Sequence, residues 1–356
     1  MSETSETESP ARVPAKLVDV ARHAGVSTGT VSNVLNRPGR VRADLRARVE
    51  QSIEELGFLG SRVASQLKNG RSSLIGVVLP DVGNPFWADL LRGVEQVLDR
   101  YDLTLVVAST RLDPIREQRL LEALARHRVD GLILAPARRS FQLAEVFLDR
   151  PFGVVTIDQR APAKRWSSVA LDDVKGGELA AGHLLERGYR QLVLVNCSDS
   201  ASWPADRRAG VRKAIAEHGL LEADCLTEVL PAGEGTVADG FAAAEEVAQA
   251  VRGEPTGVIC GNDLLALGLL RGLHDRGLRV PEDLALVGYD DVDFAAALSP
   301  GLTSVRQPSF DMGAAAARLL LSQAEGHSHH VTFEPELIPR GSSGALPMPR
   351  SPFHLH

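Results

Sequence analysis

Two groups of polar residues in this chain have the types and spacing for recognition chemistry. The first lies in Thr28 to Asn36, TGTVSNVLN. Read as a helix, Val31, Val34 and Leu35 fall at i, i+3 and i+4 and face inward. Thr28, Gly29, Ser32, Asn33 and Asn36 are left on the outer face, which is short, polar and nearly uncharged. Arg40, Arg42, Arg46 and Arg48 follow closely. Hydroxyls and an amide on a helix, with cations beside them, suit contact with base edges and neighbouring phosphates. The second group is dispersed. Asp81, Asp158, Asn262-Asp263 and Asp290-Asp291 each follow an apolar run of strand length, and Arg207 opens a predicted helix. Ligands of open α/β sheets sit beyond the carboxyl ends of the strands. Carboxylates, an amide and a guanidinium around one cleft are groups that bind sugar hydroxyls. Phe86, Trp87, Trp166 and Trp203 are candidate apolar faces for a ring, with core packing as the alternative for each. For Asp158 and Asp263 the alternative is capping or interdomain hydrogen bonding.

These residues need elements to hold them. Leu17 to Ala24 reads as a helix, with Val20, Ala21 and Ala24 on its apolar side. Gly25 can take the left-handed conformation that ends it, Val26 is an apolar plug, and Ser27 is a good N-cap for the next helix. Arg37-Pro38-Gly39-Arg40 is a turn. Arg42 to Leu56 is a third helix with Leu45, Val49, Ile53 and Leu56 on one stripe. Ser61 to Asn69 is a candidate helix too short to be stable alone in water.

From Leu74 the pattern changes. Apolar runs alternate with amphipathic stretches: LIGVVLP before a helix at Pro85–Tyr101, LTLVVAS before Pro114–His127, GLILAP before Ser140–Asp149, then GVVTID. A second set opens with SVAL and continues through helices at Val174–Arg187, Trp203–His218, Val237–Val251 and Asn262–Arg276, with LVLVN, GVIC and LALVGYD as strands. Such alternation signifies two doubly wound parallel sheets covered on both faces. LTSV, a helix at Phe310–Gln323 and VTFEPELI follow, with no place fixed by the pattern alone.

Length and charge agree with this division. A chain of 356 residues exceeds one ordinary domain. The formal net charge of −7 is uneven: residues 11–71 carry +6, residues 1–10 carry −3, and the remainder carries −10. A basic head on an acidic body is the electrostatic footprint of a nucleic-acid-binding module joined to something else. Cys197, Cys225 and Cys260 are odd in number and far apart, which fits a reducing cytosol and small buried hydrophobes. The polar, acidic start MSETSETESP has no secretory pattern, and no apolar run is long enough to span a bilayer. A cytoplasmic, nucleoid-associated protein is expected.

The pattern A-x-x-A-G-V-S-x-x-T-V-S-x-V-L-N from Ala21 resembles the DNA-binding head of the lactose/galactose repressor (LacI/GalR) family. The resemblance extends over most of residues 16–345, through NPFW at 84–87, DGLIL at 130–134, the run from Asp172 to Tyr189, RRAG at 207–210, GNDLLALGLL at 261–270 and GLRVPEDLALVGYDD at 277–291. It departs at Lys16, where the family often has a capping Thr. The resemblance implies an all-α helix-turn-helix head joined by a hinge helix to an α/β type I periplasmic-binding-protein-like domain of two doubly wound subdomains. The implied order is a disordered tail at 1–12, the head at 13–60 and the hinge helix at 61–71. An N-subdomain of 72–160 with 302–326 and a C-subdomain of 161–301 with 327–345 follow, then a mobile tail at 346–356.

For function the resemblance implies a sequence-specific regulator, a repressor, working as a homodimer on a pseudo-palindromic double-stranded operator. Whether dimers pair into tetramers is left open. Thr28, Gly29 and Asn33 match positions that choose bases in the family, Ser32 and Arg40 accompany them, and Leu67 matches the hinge leucine that wedges into the minor groove. Asp81, Arg207, Asn262 and Asp290 match positions lining an effector pocket between the subdomains, with Phe86 against the ligand. The effector is expected to be a sugar or sugar derivative.

Two other classes compete. A solute-binding protein for transport needs the same two-lobed fold, but the basic head is foreign to it. An enzyme needs a catalytic constellation, and no Ser/His/Asp order, phosphate loop or metal-spaced cluster stands out. GEGTVADG lacks phosphate-loop spacing. His327, His329 and His330 could hold a metal, but read first as a flexible polar loop between helix and strand. No catalytic residue, metal or cofactor is expected.

Overall fold

The basic head folds around its capping signals. The computed structural model describes residues 15–36, 38–56, 72–136, 144–158, 166–197, 202–231, 233–251, 254–322 and 328–344; the side chains of Leu35, Asn36 and Pro38 are outside this set. Helix α1 spans Leu17–Ala24, α2 Thr28–Asn36 and α3 Ala43–Leu56. At the start of α1 the Asp19 carboxylate accepts from the Lys16 backbone N–H at 2.9 Å, so one half of a capping box forms without a capping hydroxyl. Gly25 ends α1 at φ 62° and its N–H returns to Ala21 and Arg22. The αL conformation places Val26 against the inner faces of the helices, where Val20, Ala21, Ala24, Val31, Val34 and Val49 are buried. Ser27 Oγ then accepts from the Thr30 N–H at 3.1 Å and starts α2. The candidate helix 61–69, with Leu67, lies outside the described residues, as do the tails at 1–12 and 346–356.

Residues 73 onward form a separate unit, built on two sheets of six strands among the described residues. The strands are β1 (Leu74–Leu79), β2 (Thr104–Ser109), β3 (Gly131–Leu134), β4 (Gly153–Ile157), β5 (Ser167–Leu171), β6 (Gln191–Val195), β7 (Leu226–Val229), β8 (Thr256–Cys260), β9 (Ala285–Asp290), β10 (Thr303–Arg306), β11 (His330–Phe333) and β12 (Glu336–Ile338). The first sheet is wholly parallel, in the order β11-β5-β4-β3-β1-β2. The second runs β12-β10-β9-β8-β6-β7, with only β12 antiparallel. Strands β3, β4, β5, β8 and β9 are buried along their whole length, as a sheet covered on both faces requires. The helix Ser309–Ser322 packs on Pro85–Leu98 and on β3, β4 and β5 of the first sheet. In the second layer Asp173–Glu186 packs on Trp203–Glu217, and Val237–Ala250 on Asp263–His274.

Three strands sit in the sheet opposite to the one expected. SVAL, assigned above to the second set, is β5 and pairs with β4 of the first sheet in the register Val155↔Ser167. LTSV, assigned with 302–326 to the N-subdomain, is β10 and pairs with β9 of the second. His330–Phe333, assigned with 327–345 to the C-subdomain, is β11 and pairs with β5. A short apolar run reads alike in either sheet; the edge beside which it lands decides membership, and local pattern does not encode that. The chain therefore passes between layers three times, near residues 172, 307 and 334. Of the helix expected at Ser140–Asp149, the described residues show Ala144 helical and a 3-10 turn at Glu145–Phe147, and 137–143 lie outside the described residues. Among the described residues no helix is long and apolar enough to cross a membrane.

Candidate functional site

In the head, Thr28, Gly29 and Asn33 are exposed on α2, Ser32 is half-buried beside them, and Arg40 is exposed in the following turn. The opposite side of the helix is fixed by the buried Val31 and Val34. A methyl group added at Gly29 would meet only Ser27 Oγ, at 3.6 Å. Nothing within the head requires glycine there, although glycine in a helix costs up to ~1 kcal/mol relative to alanine. Three of the basic residues already have partners: Arg42 is paired with Asp44, Arg46 with Glu50, and Arg48 donates to the Ala24 carbonyl at the end of α1.

In the second unit a cleft between the two sheets gathers Asp81, Phe86, Arg207, Asn262 and Asp290 with Asn84, Asp158, Trp203, Glu234 and Gln307. Its enclosed volume is about 50 Å³, small beside the roughly 300–1,000 Å³ of sites that hold drug-sized ligands.

Arg207 is the most constrained of the gathered groups. It is 5 % exposed. Its Nε donates to Asp173 Oδ1 at 2.8 Å, Nη1 donates to the Gly261 carbonyl, and Trp203 and Tyr289 flank the guanidinium, their ring centroids at 4.4 and 3.5 Å. The Tyr289 hydroxyl donates to the same Asp173 oxygen at 2.9 Å. Asp173 and Arg207 meet because their helices touch backbone to backbone: a Cβ on Gly177 would run into the Arg207 carbonyl, and one on Gly210 into the Val174 carbonyl. The GG and RRAG motifs are thus packing devices that assemble this pair. Burial opposes the guanidinium's charge, but Asp173, Tyr289, Asp290 and Asp158 outweigh it and hold the pKa above the usual arginine value.

Asp290 ends β9 at φ 106°. It accepts from Gln307 Nε2 at 2.6 Å and from Asn84 Nδ2 at 3.4 Å. Burial pushes its carboxyl up to about 6 against the opposing pull of Arg207. Asp158 has φ 68° and lines the same cleft. Burial, and then the charge of Asp173, push it up to about 7. Asn262 caps its helix by accepting from the Leu265 N–H at 2.8 Å, while its amide donates to the Gly235 carbonyl at 2.9 Å. Asp81 accepts from the Gly83 N–H at 2.8 Å.

Adjacent acidic residues meet different partners. Asp172 caps a helix while Asp173 meets Arg207; Asp290 faces the cleft while Asp291 meets Arg306 and Arg340. Asp263 is an internal structural group, bonded to Ser304 Oγ at 2.7 Å and to the Val292 N–H at 3.0 Å. Phe86 and Trp87 line the cleft edge to face, 4.8 Å between centroids. Trp166 does not; it is buried with Leu132, Phe147 and Val154 in the first layer's core. The three cysteines are free and buried. His330 Nδ1 lies 2.8 Å from Ser168 Oγ, and the described residues hold no cluster of His, Cys, Asp or Glu suited to a metal.

Asn84, Glu234, Gln307, Asp173 and Tyr289 were not legible as site residues. Asn84 reads as the cap of a helix with proline at its first position, and it is that cap, accepting from the Phe86 N–H at 3.0 Å. Its second role is a contact 206 positions away.

Comparison with known proteins agrees with this geometry. Residues 16–61 match the family described as bacterial regulatory proteins, lacI family, and residues 181–343 match the periplasmic binding protein-like domain. The chain is similar to the HTH-type transcriptional regulator RegA of Clostridium saccharobutylicum, at 32 % identity over 91 % of this chain and 98 % of that one. Among solved structures it is similar to the transcriptional regulator CelR in complex with cellobiose (30 % identity, TM-score 0.68, 92 % of this chain and 99 % of that one). It is also similar to the lac repressor dimer bound to operator and the anti-inducer ONPF (26 % identity, TM-score 0.76, 93 % and 99 %). A helix-turn-helix head and a two-sheet periplasmic-binding-like unit, matched over nearly the whole chain, place this protein in the LacI family of bacterial transcriptional regulators.

Proposed function

We propose that the chain is a cytoplasmic, nucleoid-associated repressor that binds a pseudo-palindromic operator as a homodimer and responds to a sugar or sugar derivative held between its two sheets. One observation carries the DNA-binding part: α2 presents Thr28, Gly29 and Asn33 to solvent while its other side is locked in the head's core. An exposed, uncharged polar face with a glycine that internal packing does not need suits close approach to base edges. Arg40 adds a phosphate contact and Leu67 the minor-groove wedge. In the cleft, Asp81, Phe86, Arg207, Asn262 and Asp290 grip the effector, and closure around it shifts the balance between DNA-binding and released forms. A regulator acting through binding equilibria needs no catalytic group. The cellobiose named with CelR supports the carbohydrate class for this chain.

The test is a binding-site selection with the full chain, followed by a thermal-shift screen of sugars and operator titration with each ligand found. The expected result is a two-fold symmetric motif whose affinity changes when a sugar binds. Selection of no motif, or a selected operator indifferent to every sugar that binds, overturns the proposal.

A further inference from the structure

The polar atoms lining the cleft are strongly one-sided. Asp81, Asp158, Glu234 and Asp290 are carboxylates that come to it from both layers. The amides and the guanidinium beside them each spend at least one N–H within the protein. Asn84 and Gln307 donate to Asp290, Asn262 donates to the Gly235 carbonyl, and Arg207 donates to Asp173 and the Gly261 carbonyl. Gln307 Oε1 is buried with no hydrogen-bond partner among the described residues, although the side chain is only 4 % exposed and lines the cleft. An acceptor left bare in a buried site awaits a donor, because burial removes the water that would otherwise satisfy it.

Charge has the same sign. The positive charge of Arg207 is matched by Asp173 at 2.8 Å. Arg111 and Arg116 act on Glu234, but Asp81 and Asp239 press on the same carboxylate from the other side, and burial with Asp81 first among the charges raises its pKa. Asp158 is likewise raised by burial and by Asp173, with Asp290 and Asp206 adding to them against the opposing pull of Arg207. Arg207, the cation in the cleft lining, is thus already ion-paired within the protein.

We infer that the effector is a donor-rich polyol without negative charge, and that a protonated amine in place of a hydroxyl strengthens its binding while a phosphate or carboxylate abolishes it. This inference rests on the cleft being the effector site. Hydroxyls donate to Gln307 Oε1 and to the carboxylates, and an ammonium group does so with charge assistance. A phosphoryl or carboxylate group brings acceptors only, and sets like charges together.

The experiment uses matched sugars at about pH 7 with the full chain: glucose, glucosamine and glucose 6-phosphate; galactose, galactosamine and galacturonic acid; ribose and ribose 5-phosphate. Each is screened by thermal shift and titrated by calorimetry. In every set that contains a ligand, the acidic member should bind at least ~10-fold more weakly than its neutral parent, and the amino member at least as tightly. Glu234→Gln should narrow the gap between the acidic and neutral members. An acidic member that binds as well as its parent overturns the inference and leaves the sugar-responsive reading standing. If no member of any set binds, the sugar-responsive reading falls and this inference falls with it.

Discussion

Replacing Arg207 by alanine should have two separable effects. The structure sets the first. Arg207 and Asp173 are both about 5 % exposed and bonded at 2.8 Å, so removing the cation strands a buried carboxylate. Breaking such a pair costs about 3–5 kcal/mol; because the Tyr289 hydroxyl continues to donate to Asp173, the lower end, about 3 kcal/mol, is expected. A surface pair with the neighbouring Asp206 would have given about 1 kcal/mol at most. The second effect is on the effector: losing a charge-assisted hydrogen bond removes about 1.5–3 kcal/mol, tenfold to a hundredfold in affinity. Urea denaturation, calorimetric titration of the sugar and operator binding without sugar measure the three quantities. The double variant Arg207→Ala/Asp173→Asn separates them, since no charge is then stranded: stability should recover and effector affinity should not. Operator binding without effector should persist, because the DNA-reading face is built from residues of the other unit. A stability loss below about 1 kcal/mol in the single variant, or effector affinity restored in the double one, would refute the reasoning.

Asn33→Ala should relax preference at one base pair per half-site by roughly 1–3 kcal/mol, and binding-site selection with both proteins reads this directly; identical motifs count against the assignment. Leu67→Ala should weaken the selected operator far more than random DNA, because kinking needs an inserted wedge while phosphate contacts remain; mobility-shift titrations losing equally on both would contradict it. Burial pushes the Asp290 carboxyl up to about 6 from its ordinary 3.8, so between about pH 4 and 6 the folded protein holds a proton the unfolded chain has lost. Its contribution to stability therefore falls as pH rises through that window. Asp290→Asn, compared with wild type by denaturant titration, should gain relative stability from pH 4 to 7 by up to about 3 kcal/mol; a flat difference would show that the carboxyl titrates normally.

What the sequence makes legible here is what local chemistry determines. The ends of α1 and α2 follow from Gly25 and Ser27, whose effects act within a few residues. Asp81, Asn262 and Asp290 are readable because a polar residue at the end of an apolar run marks the carboxyl edge of a parallel strand. The residues that were missed act at long range. Gln307 lies in an unremarkable polar link and meets Asp290 only because β10 runs beside β9. Asp173 meets Arg207 through two glycine contacts between helices, so the carboxylate partner is hidden in a motif that reads as packing. Sheet membership fails for the same reason, since β5 and β10 have local patterns indistinguishable from their neighbours.

The three passages of chain between layers have a mechanical consequence. Two plates joined by one ribbon can swing, slide and twist; joined by three ribbons they flex more readily than they slide or twist, since sliding and twisting stretch at least one of them. Gln307 lies on one ribbon and lines the cleft, holding Asp290 with its amide nitrogen. A ligand that grips it pulls on the flexure itself as well as on the plates. A small displacement at the pivot then becomes a larger one at the far rim of each plate, the leverage with which a small molecule can rearrange surfaces it never touches.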